Sequence, residues 1–112
     1  MSSERIELQE PFVRVDIARG KELIDSGVPV IDVREPHEYA EGHIPNAVHA
    51  PLNTFLANPQ RFVQHGPVLF VCAVGVRSAL ACEMAAAVGI TDVYNLEGGT
   101  TAWIQSGLPV ER

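Results

Sequence analysis

The stretch Pro67-Val68-Leu69-Phe70-Val71-Cys72-Ala73-Val74-Gly75-Val76-Arg77-Ser78 decides how this chain is read. Residues 67–72 form a short, continuous apolar run rich in β-branched and aromatic side chains, the pattern of a strand covered on both faces. The five residues Ala73 to Arg77 then read as a loop. An Ala-rich segment over 78–88, carrying Leu80, Cys82 and Met84 and closed by Gly89, reads as a largely buried helix. A buried strand that turns through a short loop into a helix is half of a parallel crossover unit.

The same alternation extends both ways along the chain. Toward the N-terminus, residues 12–15 suit a strand, and Asp16 caps a helix over 17–26 that Gly27 stops. Residues 28–33 are a second buried strand, broken only by Pro29 and Asp32 and ending in the polar run Asp32, Arg34, Glu35. A helical turn over 36–41 ends at Gly42, a brief strand covers 47–50, and 52–62 holds one or two short helices interrupted near Pro59. Beyond the central unit, 92–96 returns as a strand, Gly98 and Gly99 turn, and 100–106 is a last helix carrying Trp103. Strands alternating with helices predict an α/β fold: a central parallel sheet of about five strands with helices on both faces. The expected organisation is a single domain over 1–112 with no linker, repeat or low-complexity tract.

Composition narrows the function classes. With 112 residues and 46% apolar content the chain can build one core without disulfides or metal. Fourteen acidic against eight basic residues leave a net charge of −6, which repels a phosphate backbone and argues against nucleic acid as a partner. The opening MSSERIELQE has neither the apolar core of a secretory signal nor the arginines of a transit peptide. The longest apolar stretch, 67–76, includes Pro67 and Gly75 and falls well short of the ~18 residues that span a bilayer. A soluble, cytoplasmic protein without a membrane partner is therefore expected, with Cys72 and Cys82 as free thiols.

Cys72 sits where ligands gather in α/β sheets, at the carboxyl end of a strand leading into a helix N-terminus. Gly75 can take positive φ, letting Ala73, Val74, Gly75, Val76, Arg77 and Ser78 curl so that backbone amides point at the sulfur. The amides of the first helical turn favour a thiolate over a thiol, and Arg77 offers a second anion contact at the loop mouth. One segment thus supplies a nucleophile, its activation and an anion cradle, provided the sulfur is both ionised and accessible. The competing reading is a buried strand cysteine with a packed apolar loop, which leaves the inward amides in need of a partner.

The motifs Ile31-Asp32-Val33-Arg34 followed by Glu38-Tyr39, Gly42-His43-Ile44-Pro45, the CxxGxRS loop at 72–78, and Leu96-Glu97-Gly98-Gly99 leading to Ala102-Trp103 stand in order. With Gly107 and Pro109 beyond them, the sequence resembles a single-domain rhodanese of the rhodanese-like sulfurtransferase family, from about residue 13 onward. That resemblance implies the rhodanese-like fold and a two-step sulfur transfer. Cys72 would take a sulfane sulfur from a small sulfur-containing anion such as thiosulfate, or from another persulfide donor, and hold it as a cysteine persulfide. A thiol or cyanide acceptor, or a carrier protein, would then remove the outer sulfur. The resemblance implies no cofactor. It also implies that Ala73, Val74, Gly75, Val76, Arg77 and Ser78 hold the substrate, while Asp32 and Arg34 support the site structurally.

Two other readings stand beside this one. A binding or sulfur-sensing module would use the same cysteine without turnover. The phosphatase and arsenate-reductase branch of the resemblance places five residues between Cys and Arg, whereas Cys72 and Arg77 are separated by four, a ring better suited to a single sulfur atom than to phosphate. Elsewhere, His43 reads as a loop brace near the site. His37, His43 and His49 lack metal-ligand spacing, and no metal is expected. Cys82 reads as core in preference to a resolving thiol, Trp103 as a core closure, and Gly98-Gly99 as a turn without the GxGxxG pattern of a phosphate loop.

Overall fold

The computed structural model describes residues 10–112, so the expectation drawn from the opening segment rests largely on positions outside the described residues. Among the described residues there are five strands: β1 (Val13–Val15), β2 (Val30–Asp32), β3 (Val48–His49), β4 (Val68–Val71) and β5 (Val93–Leu96). They alternate with α1 (Ile17–Asp25), α2 (Pro36–Glu41), α3 (Leu52–Ala57), α4 (Pro59–Phe62), α5 (Val76–Ala87) and α6 (Gly99–Gln105). The strands form one sheet in the order β1-β5-β4-β2-β3, parallel throughout. The expected α/β architecture is the observed one, with β4 at its centre and β1 and β3 at its edges.

Strands are shorter than the apolar runs that announce them, for local reasons. The amide of Val28 bonds back to Leu23 O at the end of α1, and Pro29 has no amide to give, so β2 begins only at Val30. Ala47 closes a turn onto Ile44 O, which confines β3 to two residues. At α1 the cap is as read: Asp16 Oδ1 accepts the Arg19 amide at 2.8 Å. The larger correction concerns α5, which starts at Val76, two residues before its expected start. Val76, Arg77 and Ser78 are thus the first helical turn, and the true loop is only Ala73 to Gly75.

Period-two alternation divides the core into two layers. On one face Ile31, Val33, Val68, Phe70, Cys72 and Val93 meet Phe55, Val63, Ala81 and Ala85 from the α3 to α5 side. On the other, Val15, Val30, Leu69, Val71 and Leu96 meet Leu23 of α1 and Trp103 of α6. Phe55 stands edge-on to Phe70 at 5.1 Å, and each such fully buried side chain stabilises the fold by about 1.5–3 kcal/mol. Trp103 closes the second layer, its indole N–H donating to Pro109 O at 2.8 Å. Cys72 therefore lies where the first layer ends and the loop begins.

Candidate active site

The turn after β4 is shaped from both sides. Gly75, with φ of 105°, occupies the left-handed region that side chains disfavour, while a Cβ there would meet Leu96 O only at an ordinary contact of 3.4 Å. That turn aims the Gly75 amide at Cys72 Sγ, 3.1 Å away. From the other side α6 takes up the loop's carbonyls: Thr100 N donates to Cys72 O at 2.9 Å and Thr101 N to Ala73 O at 3.0 Å. With carbonyls turned out to α6 and amides turned in, the peptide dipoles converge on the sulfur. Gly99 makes the approach possible, since a Cβ there would lie 2.4 Å from Cys72 O.

The sulfur's environment favours its charged form. Burial pushes the Cys72 thiol up, but the Ser78 hydroxyl, 3.3 Å from Sγ, and the amides of Ser78, Gly75 and Val74 outweigh it, and the net shift is downward. The second cysteine is the contrast: Cys82, wholly buried on α5, is pushed upward by desolvation and donates its S–H to Tyr94 O at 3.4 Å. Cys82 stays a core thiol.

Accessibility differs from the sequence expectation. Cys72 is only 1% exposed. Val74 and Val76 in the segment that follows are 57% and 73% exposed. A cleft of about 250 Å³ adjoins this segment, lined among others by Arg34, Glu38, Glu41, Ala73, Thr100 and Thr101.

Arg77 is placed at the loop mouth as expected, but it is not free. Its Nη1 and Nη2 donate to the two carboxylate oxygens of Glu38 at 2.8 and 2.9 Å, a bidentate pair. Glu38 Oε1 also accepts the Glu35 amide at 2.9 Å, which fixes it at the start of α2. The Arg77 guanidinium holds the Glu38 carboxyl down to about 2. Asp32 and Arg34 pair with each other while buried, Arg34 Nη2 reaching Asp32 Oδ2 at 2.8 Å and Gly42 O at 2.8 Å. They tie β2 to the end of α2. His43 Nδ1 lies 2.8 Å from Tyr39 O, and the Tyr39 ring is stacked against both His43 at 3.7 Å and His49 at 4.3 Å. His37 is exposed on α2, so the three histidines do not converge.

Sequence reasoning passed over Asn95. It is wholly buried on β5, accepts a short hydrogen bond from the Ser78 hydroxyl, and donates to Gly75 O at 3.0 Å and to Glu97 Oε2 at 2.9 Å. The signal was available, because an amide inside a strand covered on both faces must find partners.

A parallel five-stranded sheet with an amide-ringed cysteine at the end of its central strand has close counterparts. The family model for the rhodanese-like domain matches residues 17–106, and the chain belongs to that family. A thiosulfate sulfurtransferase GlpE from Pseudoalteromonas translucida is 36% identical over 96 residues, covering 82% of this chain and 89% of that protein. A sulfurtransferase from Allochromatium vinosum is 35% identical, covering 74% of this chain and 78% of its own length. Among solved structures, a rhodanese-related protein from Thermoplasma volcanium superposes with a TM-score of 0.80 at 31% identity, covering 88% of this chain and 97% of that one. Among the described residues no helix is long and apolar enough to cross a membrane.

Proposed function

We propose that this protein is a single-domain sulfurtransferase whose nucleophile is Cys72. The observation that carries the reading is the sulfur itself, placed at the end of β4 with the Gly75 amide at 3.1 Å and the Ser78 hydroxyl at 3.3 Å, in a setting that favours the anion. In the first step the Cys72 thiolate attacks the outer sulfur of a donor R–S–S⁻ or of thiosulfate. The new Cys72 S–S bond forms as the donor's S–S bond breaks, and its electron pair leaves with the thiolate or sulfite. In the second step a thiol or cyanide attacks the terminal sulfur, and the Cys72 thiolate is restored. The inward amides stay aimed at negative charge through both steps, so little reorganisation is required.

The Glu38 partner of Arg77 bears on the donor. A guanidinium already held by a carboxylate offers less attraction to a dianion, so a singly charged persulfide suits this mouth better than thiosulfate. The four-residue spacing between Cys72 and Arg77 supports sulfur over phosphate in the same way. Intact-mass measurement after incubation with a low-molecular-weight persulfide should show one added sulfur, lost in Cys72→Ser. No gain with thiosulfate or any persulfide rejects the reading. Repeated turnover with cyanide separates an enzyme from a module that takes up sulfur once.

A further inference from the structure

The site holds one hydroxyl hydrogen and two acceptors for it. Ser78 Oγ lies 3.3 Å from Cys72 Sγ and in a short hydrogen bond to Asn95 Oδ1, and Ser78 and Asn95 are both wholly buried. The Asn95 amide has a fixed sense. Its Nδ2 faces Gly75 O at 3.0 Å and Glu97 Oε2 at 2.9 Å, and turning it over would set Oδ1 against two acceptors. Asn95 Oδ1 therefore always faces Ser78.

We propose that Asn95 is a positioning residue that contends with Cys72 for the Ser78 hydrogen, holding the hydroxyl toward itself while the sulfur is a thiol and yielding it when the sulfur is charged. In the thiol state the Cys72 S–H donates to Ser78 Oγ, which donates onward to Asn95. Ionisation sends the thiol proton to water, and the Ser78 hydrogen turns about its own C–O bond toward Sγ without moving a heavy atom. Asn95 Oδ1 is then a buried acceptor without a donor, and that loss counts against the thiolate. The backbone amides around Sγ are fixed in place, so this hydroxyl is the one donor there with two positions. Asn95 also steadies the cradle through Gly75 O, the opposite influence on the sulfur.

The inference rests on Cys72 being the reactive sulfur, and its test is independent of sulfur transfer. The rate of iodoacetamide alkylation at Cys72, located by peptide mass, is followed against pH in the folded protein. Asn95→Leu removes the competing acceptor and should lower the midpoint by about one pH unit, the worth of one hydrogen bond. Asn95→Asp offers a stronger acceptor and should raise it. Other charged or titratable groups that act on the sulfur are Arg77 on α5, paired with Glu38 of α2, and Cys82 on α5, while Glu97 after β5, paired with Arg14 of β1, touches Asn95. A Ser78→Ala background leaves all of these in place, and there the fall with Asn95→Leu should vanish.

A midpoint that rises or stays fixed in Asn95→Leu, or falls equally without the Ser78 hydroxyl, overturns the proposal. Should Asn95→Leu not fold by circular dichroism, Asn95→Asp decides alone: its rise must be larger with Ser78 intact than in the Ser78→Ala background. Persulfide loading of the same proteins reports separately on the sulfurtransferase reading.

Discussion

Arg77 shows how a residue can be located from the sequence while its partner goes unseen. The sequence places it five residues after Cys72, but its partner Glu38 lies 39 positions away on α2, and no local pattern announces that pair. Cys72 and Gly75 were legible because a buried strand, a glycine and a helix follow one another without interruption. Asn95 was not, because its neighbours Val93, Tyr94 and Leu96 make the segment read as plain core. The pairing yields a prediction at this scale. Glu38→Gln removes the competing charge from Arg77 and should lower KM for thiosulfate by roughly fivefold, or about 1 kcal/mol, with kcat little changed. Steady-state kinetics decide it, and a KM that rises would mean the pair serves chiefly to hold α2 in place.

Between elements, the decisive contact is α6 against the loop after β4. The sequence offered Gly98-Gly99 as a turn; the turn ends at Gly98 and Gly99 already opens α6, and nothing in the sequence showed that this brings the Thr100 and Thr101 amides onto Cys72 O and Ala73 O. Contacts of that kind depend on strand order, and the sequence does not state that β5 lies beside β4. The start of α5 was misplaced for a related reason: Val76 is apolar and β-branched, so it reads as loop or strand until Gly75 is seen to end the turn. Gly99→Ala is the test of the contact. Its Cβ would meet Cys72 O at 2.4 Å and Ala73 O at 2.5 Å at a φ of 59°, so the variant should lose about 2–4 kcal/mol of stability in denaturant titration. Persulfide loading should fall with it, because the cradle cannot keep its shape once α6 is displaced.

For the molecule as a whole, alternation of strand and helix was enough to assign the α/β class, since each β-to-β connection must cross a face of the sheet. The order β1-β5-β4-β2-β3 needed the structure. Acid sensitivity belongs at this scale. Glu38 is lowered from 4.5 to about 2 by Arg77, so its contribution to stability is complete above the unfolded value and is lost as pH falls toward 2. Thermal melts between pH 6 and 2 should show a decline beginning near 4.5, less steep in Glu38→Gln; identical slopes would remove the pair from the account.

The sheet's margins carry a last consequence. Among the described residues β1 and β3 are the edge strands, only three and two residues long, with Val13 and Val48 more than half exposed on them. A second molecule zipping against either rim would find too few unpaired groups to hold, so brevity guards the protein against self-templated aggregation where greasy side chains would otherwise invite it.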